Sequence, residues 1–398
     1  MRVLSIFGTR PEAIKMAPLV LALRGEPQLH SSVCVTGQHR EMLAQVMGLF
    51  GLQADHELDV MLAGQSLNGL FARLLAAVDG VLDAARPDCV LVHGDTSTAA
   101  AAAMAAFHRR IPVGHVEAGL RSGNIHSPFP EEMNRRLVDS VSTWLFAPTP
   151  SARAAALQEG VSGHIWVTGN TVIDALNAAL ATLDADPARQ QALAQRYHWL
   201  DGRRRLVLVT GHRRENFGEG LRNICAALRD LAGRDDVQIV YPVHLNPNVQ
   251  GVVQKTLAGH PHIHLIEPLD YLDFLWLMRR AHLILTDSGG VQEEAPALGK
   301  PVLVLRDVTE RPEAVAAGTV RLVGTSRERI ATEANRLLDD AALYAQFCRK
   351  ANPYGDGHAC QRIVDALCGR SVAEFRPELR HAPEPHPPLN AIFSESQL

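Results

Sequence analysis

The sequence predicts an α/β protein made of two doubly wound, Rossmann-type halves. Three observations predict it. Short β-branched apolar runs alternate with longer helix-period segments almost throughout. Apolar strands separated by helices of about 10–15 residues mean βαβ units and parallel sheets. The alternation restarts after about Asn170, and a local echo links its two parts. One strand runs into Phe7-Gly8-Thr9-Arg10-Pro11-Glu12, another into Thr210-Gly211-His212-Arg213-Arg214-Glu215.

In the first half, Arg2–Phe7, Ser32–Thr36, Cys89–Val92, Pro112–Val116 and Ile165–Val167 read as buried strands. Helix-period segments such as Pro11–Leu23, Leu67–Ala84 and Ser97–Arg109 lie between them. In the second half the strands are Leu206–Thr210, Gln238–Tyr241, Ile263–Leu265, His282–Thr286, Val302–Leu305 and Thr319–Val323. The polar stretch Asp184–Arg205, with Pro187 and three consecutive arginines, has the weakest interior pattern and puts the boundary near it. Residues 370–398 carry five prolines and little periodicity, and read as a disordered tail.

Composition narrows the function. The chain has 398 residues, enough for two domains. Its 39 basic and 43 acidic residues give a net charge of -4, which offers no general cationic field for nucleic acid or an anionic membrane. No apolar run nears the roughly 18 residues of a membrane span. Met1-Arg2-Val3-Leu4-Ser5-Ile6-Phe7 reads as a first strand, not a signal peptide. The six scattered cysteines form no C-x-x-C pair and suggest reduced thiols in the cytoplasm.

Ligands of open α/β sheets bind beyond the carboxyl ends of the strands. The polar residues there are the candidates. After the first strand, Thr9 and Glu12 have capping-box spacing. Arg10 and Lys15 follow, at a helix start where cations oppose the macrodipole. An anion-binding pair is therefore favoured over solvated charges. After Val92 comes His93-Gly94-Asp95-Thr96, where Asp95 either caps the next helix or serves the cleft. Glu117 follows another strand, and Glu131 and Glu132 open a helix after Pro128-Phe129-Pro130. First-turn acids are common. Three carboxylates at one cleft mouth would nonetheless raise one another's pKa and suit acid/base work. His212 stands at the mouth of the second half as an anion ligand, a proton shuttle or a plain surface histidine.

Thr286-Asp287-Ser288-Gly289-Gly290 is a strand–loop–helix element that suits a diphosphate, against the plainer reading of Gly289-Gly290 as a tight turn alone. Glu294 is placed to accept two ribose hydroxyls. No G-x-G-x-x-G follows a strand and no Walker A sequence is present, so neither a nicotinamide nor a P-loop nucleotide site is expected. His93, His115 and His212 lack the spacing of metal ligands, so no metal and no cofactor are expected.

With these residues in view, the sequence resembles the non-hydrolysing UDP-N-acetylglucosamine 2-epimerases of bacteria. The resemblance rests on GTRPEAIKMAPL at 8–19, TGQHREML at 36–43, HGDTSTA at 93–99, HVEAGLRSGN at 115–124 and PFPEEMNRR at 128–136. It continues through TGNTVIDAL at 168–176, TGHRRENFG at 210–218, PVHLNPNV at 242–249 and the long run from Leu285 to Val315.

The resemblance implies a GT-B-like pair of domains facing a cleft, a homodimer, and a UDP-sugar partner with neither nucleic acid nor membrane. It implies an N-terminal domain over 1–170 with the catalytic carboxylates and a UDP-binding domain over 171–356. A helix over 357–369 would return to the first domain. Carried onto this chain, it implies that Asp95, Glu117, Glu131, His212 and Lys15 are catalytic. It further implies that Arg10, His212, Leu269, Phe274, Ser288, Gly289, Gly290, Glu294 and Arg311 hold the nucleotide. Gln38, His39 and His244 match an activator pocket of some members, whereas Gly64-Gln65 stands where those have Arg-Gln. The implied reaction is elimination of UDP to a 2-acetamidoglucal and re-addition at carbon 2. A related UDP-sugar 2-epimerase, a hydrolysing epimerase and a GT-B glycosyltransferase are the alternatives.

Overall fold

The computed structural model describes residues 1–37, 40–62, 64–348 and 352–377. The first half runs β1 (Arg2–Phe7), α1 (Arg10–Arg24), β2 (His30–Val35), α2 (Arg40–Leu49), β3 (His56–Glu57), α3 (Leu67–Ala85), β4 (Cys89–His93), α4 (Ser97–His108) and β5 (Val113–Val116). It ends with α5 (Glu131–Val141), β6 (Trp144–Ala147), α6 (Pro150–Gln158) and β7 (His164–Val167). Among the described residues these strands form a parallel seven-stranded sheet of order β3-β2-β1-β4-β5-β6-β7.

The second half runs α7 (Thr171–Asp184), α8 (Pro187–Arg196), β8 (Arg205–Thr210), α9 (Glu219–Ala232), β9 (Val237–Pro242), α10 (Pro247–Leu257), β10 (Ile263–Ile266), α11 (Tyr271–Arg280) and β11 (Leu283–Thr286). There follow α12 (Gly289–Ala297), β12 (Val302–Val304), α13 (Pro312–Ala316), β13 (Val320–Leu322), α14 (Arg327–Asp339), α15 (Ala341–Phe347) and α16 (Ala359–Leu367). Its parallel sheet has the order β10-β9-β8-β11-β12-β13. Both sheets are doubly wound, with order reversing between β1 and β4 in one and between β8 and β11 in the other. A crevice opens at such reversal points, beyond the carboxyl ends of the strands.

The central strands are buried because helices cover both faces. Val3, Leu91 and Phe146 enter one layer of the first core, while Leu4, Val90 and Val92 enter the opposite one. Alternation along fully buried strands thus serves two cores at once. β3 and β6, absent from the sequence reading, are short. β6 carries Trp144 and Phe146, the latter stacked on Trp166 at 5.8 Å, and its four residues give little periodicity to read.

The weakly patterned stretch 184–205 holds a helix: Asp186 caps α8, and Leu193 and Tyr197 are buried in the core under the second sheet. A polar helix with one buried stripe has too weak a pattern to stand out. α16 packs on α1 through Ile363 and Val364. One expectation needs correction: the start of the expected disordered tail is ordered. The Phe375 N–H then donates to the Val167 carbonyl at 2.8 Å, and its ring is buried at 5% exposure. Arg153 pairs with Glu374 at 2.9 Å. The rest of that tail, 378–398, lies outside the described residues. No helix among the described residues is long and apolar enough to cross a membrane.

Replacing Phe375 with Ala should lower the unfolding free energy by about 3 kcal/mol, as for other buried aromatics. Urea unfolding followed through Trp166 fluorescence measures it.

Candidate active site

Every candidate stands at a strand's carboxyl end or in the first turns of the helix that follows. On the β1 side, Thr9 caps α1 and the Glu12 side chain returns to the Thr9 N–H at 2.7 Å, a complete capping box. This fixes the first turn of α1. Arg10 then crosses to the second half, where its guanidinium donates to the Leu269 carbonyl at 3.1 Å. Lys15, one turn further on, is buried.

Lys15 belongs to a cluster of charges shared by both halves. Its ammonium pairs with Glu117 of the first half and lies 3.3 Å from Glu293 of the second. Arg311 pairs with Glu293 at 2.7 Å and stands 3.7 Å from Glu117. The Asn170 amide donates to both carboxylates, at 2.9 and 3.1 Å. His93 approaches Glu117 at 3.5 Å. Burial strongly favours the neutral form of Glu117, but Lys15, His93 and Arg311 reverse this and leave it well below the usual carboxylate range. Burial likewise opposes the charge on Lys15 and Arg311; Glu117 and Glu293 outweigh it for Lys15, and Glu293, Glu310 and Glu117 outweigh it for Arg311, which also lies 3.3 Å from Glu310. The expected trio of mutually repelling carboxylates is therefore corrected: Glu117 is grouped with cations.

Asp95 and Glu131 remain as the carboxylates on the β4 and α5 side, with the Asp95 charge felt at Glu131. Gly94, at φ +64°, turns the chain after β4. Thr96, not Asp95, caps α4. Asp95 is thereby free to face the first turns of α5, where Arg135 pairs with it and the Asn134 amide donates to its backbone carbonyl at 2.8 Å. Glu131 opens α5. Burial raises its carboxyl above the usual range, Asp95 raises it further, and Arg213 from the second half opposes the rise.

In the second half, Asp287 organises the loop after β8. Its carboxylate accepts the backbone N–H groups of His212 and Arg213, both at 2.9 Å, and the Asn216 amide at 3.1 Å. His212 lies 3.3 Å from Asp287, and its ring stacks on His244 at 5.6 Å. Burial lowers the His212 pKa, and Arg213 and His244 add to the fall against Asp287. Ser288 precedes α12 without a side-chain cap bond, leaving the first N–H groups of that helix uncapped by it. A Cβ on Gly289 would come within 2.8 Å of the Arg311 guanidinium. Only glycine fits there without moving that cation.

Tyr271 donates to Glu294 at 2.5 Å. Burial, with Glu293 adding, pushes the Glu294 carboxyl up to about 7 against that bond. Leu269 and the half-buried Phe274 belong to the core beside them. Of the activator-pocket positions, Gln65 bonds to Arg73 and His244 stacks on His212, while Gln38 and His39 lie outside the described residues. Sequence reasoning missed Asn170, Glu293, Asp287 and Arg135. Each lay inside a motif noted for a neighbouring residue, and partners more than 39 positions away give no local signal.

The two sheets and the polar crevice between their reversal points define a GT-B-like protein, two Rossmann-type domains that share one site. The chain belongs to the UDP-N-acetylglucosamine 2-epimerase family, whose family model matches residues 21–368. It is 55% identical over 374 residues to the UDP-N-acetylglucosamine 2-epimerase of Yersinia pestis, covering 94% of this chain and 100% of that one. The Escherichia coli K12 enzyme of the same name is 54% identical over 375 residues, again at 94% and 100% coverage. The Neisseria meningitidis UDP-GlcNAc 2-epimerase bound to UDP-GlcNAc superposes with a TM-score of 0.90 at 48% identity, covering 93% of this chain and 100% of that one.

Removing Arg311 should expose how much the charge balance matters. Arg311→Met leaves two buried glutamates facing one lysine and should cost about 3–5 kcal/mol. Adding Glu293→Gln should recover part of that loss in urea unfolding. A single variant within about 1 kcal/mol of wild type would contradict this account of the cluster.

Proposed function

We propose that the chain is an isomerase that interconverts UDP-N-acetylglucosamine and UDP-N-acetylmannosamine by inverting carbon 2. One observation carries the reading. The half that carries Asp95, Glu117 and Glu131 meets the half that carries His212 and Ser288 directly: the Arg10 guanidinium donates to the Leu269 carbonyl at 3.1 Å, and Lys15 pairs with Glu117 and lies 3.3 Å from Glu293. Acid/base groups and an anion cradle thus share one crevice. UDP-GlcNAc bound in the related Neisseria meningitidis and Methanocaldococcus jannaschii enzymes supports the same reading.

The hydrogen on carbon 2 is not acidic, so its removal must be coupled to departure of the nucleotide. In the proposed step a carboxylate takes the carbon-2 proton, and the C–H pair becomes the double bond to carbon 1. The carbon-1–oxygen pair leaves with UDP. Re-addition of that oxygen to carbon 1, with protonation of carbon 2 on the other face, gives the epimer. The charge on the leaving diphosphate goes to the N–H groups of Gly289 and Gly290, the Ser288 hydroxyl, Arg10, His212 and Arg311, the Ser288 N–H being already donated to the Thr286 hydroxyl at 2.9 Å. Leu269 and Phe274 flank the base, and Glu294 takes the ribose hydroxyls.

Glu131, raised by burial, is suited to deliver a proton, with Asp95 as its partner carboxylate. Glu117 and Lys15 complete the set at the floor of the crevice, with His212 assisting at its mouth. Elimination and re-addition are redox-neutral, and the leaving charge has cationic and N–H partners, so the step calls for no cofactor. We also read the enzyme as a cytoplasmic homodimer, supported by its resemblance to the bacterial members and by six unbridged cysteines.

Turnover in deuterium oxide tests the chemistry: carbon 2 of both sugars should acquire label, readable by NMR. Asp95→Asn, Glu117→Gln and Glu131→Gln should each retain UDP binding and lose about 10²–10⁴-fold in turnover. A variant turning over at wild-type rate would leave the catalytic set.

The Glu294 carboxyl gives a pH test. Below about 7 it holds a proton, and above about 7 it is an acceptor for two hydroxyls. Affinity for UDP-N-acetylglucosamine should therefore rise several-fold as pH increases through that range. Glu294→Gln should bind more weakly and lose the slope. Calorimetric titration at a series of pH values would show it.

A further inference from the structure

A buried polar unit outside the crevice touches the backbone beside two proposed carboxylates and arises from the helix that carries the third. Asp139, on α5, is fully buried, and so is His115, on β5. One oxygen of Asp139 meets the His115 Nδ1 at 2.6 Å, and the other accepts the Gly119 N–H at 3.1 Å. The His115 Nε2 lies 2.8 Å from the Gly94 carbonyl. A carbonyl can only accept, so Nε2 donates there, and Nδ1 facing a carboxylate donates as well. Arg121 pairs with Asp139 at 2.8 Å and with Glu159 at 2.7 Å, closing the unit on its outer side. Burial favours a neutral Asp139, but His115 and Arg121 hold it below the usual carboxylate range.

Gly94 immediately precedes Asp95. His115 and Gly119 bracket Glu117, which adopts a left-handed φ of +68°. Such a backbone in a residue other than glycine persists only where its surroundings over-determine it. Here Asp139 binds both ends of the five-residue arc, and the Phe146 carbonyl accepts the Glu117 and Ala118 N–H groups, each at 3.1 Å. Gly119, at φ +84°, is pressed so close that a Cβ would lie 2.2 Å from the Ala152 carbonyl oxygen. Asp139 stands eight residues beyond Glu131 on one helix, about 12 Å along its axis.

We propose that Asp139 and His115 are positioning residues for the epimerisation: this one carboxylate–imidazole pair sets the places of Asp95, Glu117 and Glu131 relative to one another. The proposal rests on the catalytic reading above. Neither side chain reaches the crevice, so its effect is on geometry. Displacing a catalytic group by about 1 Å can cost about 100-fold in rate.

The test uses the full-length enzyme with Asp139→Asn and His115→Gln. Both should lose about 100-fold in kcat while their UDP dissociation constants stay within about twofold of wild type. The double variant should be no worse than the poorer single one, because the pair acts as one unit. Val138→Ala, a fully buried neighbour on the same helix, supplies the control. It should lower the melting temperature through a cavity and leave kcat unchanged. If one variant does not fold, the other carries the test.

Undiminished kcat in a folded variant overturns the proposal. So does an equal loss in Val138→Ala, or a fall in UDP affinity that matches the fall in kcat. A wild-type enzyme without turnover overturns the catalytic reading and this proposal together. Normal wild-type turnover with undiminished variants overturns the positioning role alone.

Discussion

Two lysine and arginine charges and two glutamate charges, buried where the halves meet, set the terms for this molecule. Lys15 and Glu117 come from one sheet's side, Glu293 and Arg311 from the other. Each half thus holds an oppositely charged pair, Lys15–Glu117 or Glu293–Arg311, and separating the halves would remove the Lys15–Glu293 and Arg311–Glu117 contacts that now help offset desolvation. Removing charges from water costs several kcal/mol per ion and is offset only by good geometry and further hydrogen bonds. Asn170 supplies those bonds to both glutamates from the junction between the two sheets. The cluster therefore makes mutual orientation of the halves a matter of charge as well as apolar packing.

Around that floor, topology does the placing. Each sheet reverses its winding once, and the polar loops at the two reversals point their chemistry into one crevice. Carboxylates and their partner arginine arise beside β4 and α5. N–H groups, His212 and Glu294 arise beside β8, β11 and α12. Asp287 and the capping box at Thr9 and Glu12 do similar work in opposite halves: a buried or half-buried carboxylate gathers backbone N–H groups and fixes a loop. The loops at the edges of the site are thus tied down by Glu12 from α1 and by Asp287 from the loop after β11.

Much of this was legible in the sequence. β1 matches its apolar run, and the capping box was written in Thr9 and Glu12. Asp95, Glu117 and Ser288 stood out because polar residues at strand ends are unusual. What the sequence hid was pairing over long separations. Glu293 and Glu294 are adjacent letters, yet one is bound into the charge cluster and the other held by Tyr271. No local pattern tells them apart. The same holds for Glu117: its spacing suggested a repelling neighbour in Asp95, while folding brought Lys15, 102 positions away. Phe375 was hidden by composition, since a proline-rich neighbourhood masked one anchoring aromatic.

The strip from Val372 to Phe375 has a consequence beyond its own burial. A parallel sheet ends in two strands whose outer N–H and C=O groups can recruit a strand from another molecule. In the first sheet one end, β3, is only two residues long, too short to template much. The other end, β7, is overlaid by this returning strip, whose Phe375 N–H occupies the Val167 carbonyl and whose Glu374 accepts the Val167 N–H at 3.2 Å. This returning strip thus acts as a selvedge, finishing the sheet's raw border against edge-to-edge aggregation.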